Sequence, residues 1–71
     1  MMNSEGEIKM PIVQIDLLEG RTYEQKKAMV EKITEALMET AGASRESISI
    51  IIRDMPKQNY AKAGQLASEW K

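Results

Sequence analysis

The sequence contains no cysteine and no histidine, so it offers neither a disulfide framework nor a metal site built from these residues. Phenylalanine is also absent and tryptophan occurs once, so a core must be built from aliphatic side chains and methionine. Seventy-one residues suffice for one small domain, which without disulfides or a metal commonly needs a partner to bury enough surface. The absence of cysteine fits a reducing compartment, and we expect a cytoplasmic protein.

Long apolar runs and blocks of like charge are missing as well. Apolar runs such as residues 50–52 are far shorter than the roughly 20 residues of a membrane-spanning helix, and nothing resembles a signal peptide. Ten basic and eleven acidic residues are interspersed and give a net charge of −1, so no basic stripe is present to follow a phosphate backbone. We therefore expect neither membrane insertion nor nucleic-acid binding.

The segment that directly follows Pro11 has the alternation of a β-strand. One face would carry Val13, Ile15 and Leu17, and the other Ile12, Gln14, Asp16 and Leu18. The apolar residues on the second face predict that this face is also partly covered. The sequence Glu-Gly-Arg at residues 19–21 then predicts a turn out of the strand.

A long amphipathic helix is predicted from Tyr23 to Ala41. Thr22 and Gln25 have the spacing of a capping box, and Gly42 supplies the left-handed residue that ends a helix. Apolar side chains recur at steps of three and four residues, namely Met29, Val30, Ile33, Ala36, Leu37 and Ala41. Charged residues occupy the opposite face.

A second strand is predicted at residues 48–53, followed by turn residues 55–59 and a small hairpin with a tail that packs on a neighbouring subunit. Strand, long helix and strand predict an α/β (α+β) fold: one small βαβ subunit with parallel strands, a right-handed crossover and a short C-terminal hairpin. One helix covers only one face of a two-stranded sheet, and such a sheet is marginal alone. We therefore expect an oligomer whose subunits complete both the core and the active site.

Residues 1–9 are polar and without periodicity, which is typical of a disordered tail. Glu5-Gly6-Glu7 can also be encoded by a purine-rich ribosome-binding sequence, with a short spacer before Met10. We therefore expect residues 1–10 to be an extension or a misassigned start, and residues 11–71 to be the domain. If translation starts at Met10, removal of the initiator leaves Pro11 with a free secondary amine; otherwise Pro11 has no basic nitrogen.

The pattern Pro-Ile-x-Gln-Ile-x-x-Leu-Glu-Gly-Arg-Thr, followed by Glu-Gln-Lys-Lys, an isoleucine-rich strand and Asn-Tyr-Ala-x-Ala-Gly, resembles the 4-oxalocrotonate tautomerase family. The resemblance covers Pro11 to about residue 68. It implies βαβ subunits assembled as a homohexamer, a trimer of dimers. It also implies a keto–enol tautomerase that acts on 2-hydroxydienoates or related enol acids through an N-terminal proline, without cofactor or metal.

By position, the resemblance makes Pro11 the general base that takes the enol proton and returns it to carbon. Arg21 aligns with the arginine that holds a substrate carboxylate, a task that suits the bidentate, permanently charged guanidinium. From the residues alone, Pro11 is also consistent with a structural proline at the start of a strand, where the missing N–H costs no hydrogen bond of the sheet. Arg21 likewise reads as a solvated turn residue.

Four further residues complete the predicted substrate site. Tyr60 aligns with the aromatic residue that forms a wall of the pocket. From the residues alone, Tyr60 is also consistent with an aromatic residue of the hairpin that packs on a neighbouring subunit. Leu18 is predicted to line the same pocket. Ser49 stands where well-studied members carry a second arginine for the other carboxylate, which favours a monoacid or smaller enol. Arg53 shares the strand face of Ser49, two pleats along, so it would approach the substrate from another direction.

Two alternatives stay open on the sequence. Hydration or dehalogenation of unsaturated acids needs a group that activates water, and no residue in the sequence is clearly identified for this role. A structural or ligand-binding oligomer would result if the N-terminal extension blocks Pro11. The length of the protein that the cell makes distinguishes this second alternative from catalysis.

Overall fold

A computed structural model describes residues 10–70. Along the chain, β1 (Ile12–Leu18) is followed by α1 (Tyr23–Ala41), β2 (Ser49–Met55), and the short strands β3 (Ala61–Lys62) and β4 (Gln65–Leu66). Single 3-10 turns cover Arg45–Ser47, Lys57–Asn59 and Ala67–Glu69. The extension predicted at residues 1–10 lies outside the described residues, apart from Met10.

β1 and β2 form a parallel two-stranded sheet, as the βαβ pattern predicted. The register pairs Ile12 with Ser49 at one end and Leu18 with Met55 at the other. The prediction of a strand at residues 48–53 was wrong at both ends, since β2 begins one residue later and continues through Met55. Pairing along the whole length of β1 extends β2, and Pro56, which lacks an N–H, then ends it.

Local sequence sets both ends of α1. The Thr22 side chain accepts a hydrogen bond from the Gln25 backbone N–H, and the Gln25 side chain accepts one from the Thr22 N–H, which is the predicted capping box. Gly42 ends the helix with φ of 70°, in the left-handed region. Both helix bounds match the sequence prediction.

The helix lies with its apolar stripe toward the sheet. Met29, Val30, Ile33 and Leu37 are half-buried, whereas Ala36 and Ala41, which we placed in the same stripe, are exposed. The half-buried Lys26 forms an ion pair with Asp54, which ties the first turn of α1 to the end of β2. The helix therefore covers the sheet face that carries Val13, Ile15 and Ile52.

The predicted C-terminal hairpin is confirmed, since β3 and β4 pair antiparallel through a two-residue turn. The turn residues Ala63 and Gly64 both have positive φ, 51° and 81°. The tail folds back on its own hairpin, and its predicted packing on a neighbouring subunit stays a prediction. Ala67 donates its N–H to the Tyr60 carbonyl, and Trp70 donates its indole N–H to the Gln65 carbonyl.

The sheet face away from the helix is poorly covered. Ile12 is 57% exposed and Ile51 is 42% exposed, and only the small residues Ala43 and Ala67 are buried among the described hydrophobic side chains. Burial of apolar area is the main source of folding free energy. This subunit therefore leaves a substantial part of its apolar surface for other contacts. Within residues 10–70, no helix combines the length and hydropathy needed to cross a bilayer.

Candidate functional site

An open groove of about 410 Å³ lies at the carboxyl ends of the two parallel strands. β1 and the turn after it contribute Asp16, Leu17, Leu18 and Arg21; the end of β2 contributes Met55; and the C-terminal segment contributes Tyr60, Lys62 and Trp70. Parallel strands end at the same edge of a sheet, so side chains from distant parts of the sequence meet here. Three of the predicted site residues, Leu18, Arg21 and Tyr60, line this groove.

The turn after β1 determines where Arg21 lies. Gly20 has φ of +130°, a conformation that residues with a Cβ rarely adopt. Glu19 is fixed by its N–H, which donates to the Met55 carbonyl, and by its carboxylate, which accepts from the Lys57 N–H. The Arg21 guanidinium then turns back along the strand and donates from Nη1 to the Leu18 carbonyl at 3.3 Å. Arg21 is thus held at the groove, and this is the only hydrogen bond that its guanidinium forms within residues 10–70.

Aromatic side chains form the wall of the groove opposite the strand ends. Tyr60 and Trp70 meet edge to face, with ring centroids 5.8 Å apart and planes at 78°. The Lys62 ammonium lies 5.8 Å from the centroid of the Trp70 ring, within the range of a cation–π contact. An apolar, flat ligand therefore finds an aromatic surface here, with a cation at its edge.

The groove has an excess of positive charge. Its carboxylate, Asp16, accepts a hydrogen bond from Arg53 Nε at 2.9 Å, so the charge of Asp16 is neutralised by a guanidinium that is not part of the groove lining. Arg21 and Lys62 form no ion pair with any side chain of residues 10–70. Both cations are therefore left to face an anionic ligand.

Two predicted site residues lie at the opposite end of the sheet. Pro11 directly precedes β1 and is half-buried, and its carbonyl accepts a hydrogen bond from the Ser49 N–H at 3.1 Å. Ser49 is exposed at the start of β2. This end of the sheet is separated from Leu18 by the length of β1, about 23 Å for seven residues at 3.3 Å each. One chain therefore does not bring Pro11 to Arg21 and Tyr60.

Arg53 lies between the two ends of the sheet. Its guanidinium is held by Asp16, the residue opposite it in the strand register. The structure does not place Arg53 in the groove lining with Arg21. Its assignment to substrate binding stays a prediction, and an Arg53 that contacts substrate would have to exchange or share its carboxylate partner.

The sequence reasoning missed several residues of the groove, namely Asp16, Leu17, Met55, Lys62 and Trp70. For Lys62 a signal was present, because residues two apart in an extended segment share a side, and Tyr60 had already been placed at the pocket. Trp70 was the sole tryptophan, but nothing local in the sequence indicated that the tail would fold back. The contribution of Met55 depended on the true end of β2.

The described residues hold no group of three or more histidine, cysteine or carboxylate side chains that could bind a metal ion. The one pKa shift in this part of the chain also lies outside the groove: Glu31, on the exposed face of α1, has its pKa lowered by the hydrogen bond from Lys27 and by the charge of that ammonium. The groove lining itself offers two cations, an aromatic wall and apolar strand ends.

Comparison with known proteins identifies relatives over nearly the whole described chain. Residues 11–69 match the family described as tautomerase enzyme. The 2-hydroxymuconate tautomerase of Bacillus subtilis is 53% identical over 60 residues, which are 84% of this chain and 97% of that protein. The 2-hydroxymuconate tautomerase of Comamonas testosteroni is 50% identical over 60 residues, 84% of this chain and 95% of that protein.

Solved structures give the same result for the fold. The crystal structure of YwhB, a homologue of 4-oxalocrotonate tautomerase, superposes with a TM-score of 0.81 at 51% identity. The superposition covers 86% of this chain and 100% of that chain. The parallel strands, the helix between them and the C-terminal hairpin are therefore shared.

Proposed function

This chain belongs to the tautomerase family, whose members are isomerases, and from that membership we propose that it converts 2-hydroxydienoates or related enol acids to their keto forms with the Pro11 amine as general base. The observation that carries the proposal is the position of Pro11. It directly precedes β1, and the family match begins at that residue. A secondary amine there would be held rigidly by the first strand.

The proposed reaction moves one proton and consumes nothing. The Pro11 nitrogen removes the hydroxyl proton of the enol, and the enol oxygen becomes the carbonyl oxygen as the double bond shifts. The protonated amine then delivers the proton to a carbon of the conjugated chain, which regenerates the free base. A positioned general base of this kind typically contributes about 10²- to 10⁴-fold to the rate.

Arg21 is proposed to hold the substrate carboxylate. Its guanidinium lies in the groove with Leu18 and Tyr60, and among the described residues it has no carboxylate partner. A bound carboxylate beside this cation fixes the conjugated chain and draws electron density toward itself as charge develops. Tyr60, together with Leu18, supplies the apolar wall that limits access of water.

Because Pro11 and Arg21 lie at opposite ends of β1, the proposed site needs residues from more than one subunit. The exposed Ile12 and Ile51 on the open sheet face support such an assembly. We propose a homohexamer built as a trimer of dimers. The ends of the sheet would then meet across subunit contacts, with Pro11 and Ser49 of one chain beside the groove of another.

The free amine requires a chain that begins at Pro11. In support of this form, the 60 residues aligned with the Bacillus subtilis relative make up 97% of that protein, which leaves almost none of it to match residues 1–10. We therefore propose that residues 1–10 are absent from the active protein and that residues 11–71 form the tautomerase domain. A cytoplasmic location is part of the same proposal.

The test compares proteins that begin at Pro11 and at Met1, with 2-hydroxymuconate and phenylenolpyruvate as substrates. Protein that begins at Pro11 should convert the enol to the ketone, and retention of residues 1–10 should abolish this activity. Pro11→Ala should reduce kcat/KM by about 100-fold or more.

The other proline of the chain provides the matched control. Pro56 lies after β2 and outside the groove lining, so Pro56→Ala should change kcat/KM far less than Pro11→Ala. Equal activity with residues 1–10 retained would contradict the role of the Pro11 amine, because an internal proline has no basic nitrogen.

A further inference from the structure

Lys62 is a second cation in the groove that holds Arg21. The two residues reach it from different elements, Arg21 from the turn after β1 and Lys62 from β3. Neither forms an ion pair within residues 10–70, and the one groove carboxylate, Asp16, is paired with Arg53. The groove therefore carries the charge to bind more than one anionic group.

The hairpin holds the Lys62 ammonium in place. It lies 5.8 Å from the centroid of Trp70, and Trp70 is itself fixed by its contact with Tyr60 and by the hydrogen bond from its indole to the Gln65 carbonyl. Trp70 is 40% exposed, so the ammonium stands at an accessible edge of the aromatic wall. A flat conjugated acid that lies along this wall would present one end to Arg21 and its other end toward Lys62.

We propose that Lys62 binds the second anionic group of a conjugated dicarboxylate, so that this chain selects dianionic substrates although Ser49 supplies no charge. This inference rests on the proposed function for its substrate but on the groove alone for its geometry. It revises the expectation of a monoacid drawn from Ser49, since a cation from the hairpin takes the place of a cation on β2. Lys62 acts as a specificity residue and takes no part in proton transfer.

Muconate and sorbate form a matched pair of probes. Muconate is hexa-2,4-dienedioate and sorbate is hexa-2,4-dienoate, so sorbate has a methyl group where muconate has its second carboxylate. Neither compound has an enol, so neither is turned over. The chain contains one tryptophan, so Trp70 fluorescence reports binding at the groove directly, and dissociation constants follow from its concentration dependence. The measurement uses the 71-residue protein.

The wild-type protein should bind muconate about five-fold more tightly than sorbate, the size expected for one partly exposed ion pair. Lys62→Met should remove this preference and change the sorbate dissociation constant less than two-fold, as roughly expected when no charge pairs with the lost ammonium. Lys62→Arg should retain the preference, and Lys62→Glu should reverse it. Lys32→Met, on the exposed face of α1, removes the same net charge and should leave the preference unchanged.

A muconate preference that survives in Lys62→Met, or a wild-type protein that does not bind muconate, overturns the role of Lys62. If Lys32→Met loses the muconate preference as completely as Lys62→Met does, the role of Lys62 is also overturned, because the preference would then depend on the net charge of the protein. Because fluorescence requires no turnover, an inactive Pro11 leaves this test intact. If the Lys62-dependent preference is intact but protein that begins at Pro11 converts no enol substrate, the proposed function alone is contradicted.

Discussion

Pro11 and Arg21 lie at opposite ends of the same strand. Pro11 immediately precedes β1, and the Arg21 guanidinium donates to the carbonyl of its last residue, Leu18. The strand has seven residues, so the two functional groups are about 20 Å or more apart within one chain. An amine that transfers a proton and a cation that anchors a carboxylate must both contact the same small substrate. The distance between them therefore cannot exceed the length of that substrate. The proposed catalysis by Pro11 and Arg21 therefore requires assembly.

This separation predicts complementation between two inactive variants. Pro11→Ala and Arg21→Ala, each in protein that begins at residue 11, should each retain about 1% of wild-type activity or less. After unfolding together and refolding, random assembly should restore about a quarter of wild-type activity, because each site draws the two residues independently from different subunits. Enol-to-ketone conversion measures the result. If the mixture stays inactive, the two residues do not act across a subunit contact.

The capping box at the start of α1 gives a stability prediction. Thr22→Ala removes the hydroxyl that accepts from the Gln25 N–H, and it should lower the free energy of unfolding by about 1 kcal/mol. Thr40→Ala is the matched control in the last turn of the helix, where the hydroxyl only bonds back to the Ala36 carbonyl and alanine is the better helix former. Urea unfolding should show a loss for Thr22→Ala only; equal losses would mean that the cap contributes nothing specific.

The helix ends show how much of this fold a local pattern can predict. Thr22, Gln25 and Gly42 act within a few residues of their own positions, so the sequence predicted the bounds of α1 correctly. The alternation in β1 was equally local. The end of β2 was mispredicted because it depends on pairing with Leu17 and Leu18, more than thirty residues away.

The groove was predictable only in part for the same reason. Arg21 and Tyr60 were found through resemblance to a family pattern, which carries information on which residues meet. The pairing of Asp16 with Arg53 follows from strand register, and the return of Trp70 to Tyr60 follows from the path of the tail. No spacing in the sequence encodes either contact, so the excess positive charge of the groove appears only in the structure.

The hairpin that carries Lys62 contains a strained turn residue. Ala63 has φ of 51°, a left-handed conformation that costs a residue with a Cβ roughly 1–2 kcal/mol. Ala63→Gly should therefore raise the free energy of unfolding by about 0.5–1 kcal/mol, after the entropy that glycine adds to the unfolded chain. Ala61→Gly, in β3 of the same hairpin, should lower it by about as much. Thermal unfolding that shifts in the same direction for both variants would contradict the assigned turn.

Glu31 gives a pH-dependent prediction. Lys27 hydrogen-bonds to Glu31 at 2.9 Å and lowers its pKa from the ordinary 4.5. A carboxyl with a lowered pKa in the folded state adds stability above its ordinary pKa and loses it as the pH falls through the lowered value. Glu31→Gln should therefore reduce the melting temperature slightly at about pH 7 and leave it unchanged at about pH 2.

Glu35→Gln is the control for Glu31, since Glu35 is also exposed on α1 and forms no ion pair within residues 10–70. Its effect on the melting temperature should not follow the pH dependence of Glu31→Gln. A Glu31→Gln effect of equal size at both pH values would show that the ion pair with Lys27 is not its cause.

The proposed mechanism requires that the Pro11 nitrogen be a free amine in the protein that the cell makes. The intact mass of the protein purified from its native host tests this most directly. We expect a species whose first residue is Pro11, with the initiator methionine removed. A mass that corresponds to a chain starting at Met1 or Met2 would contradict it, because the nitrogen would then be part of a peptide bond and could not accept the enol proton.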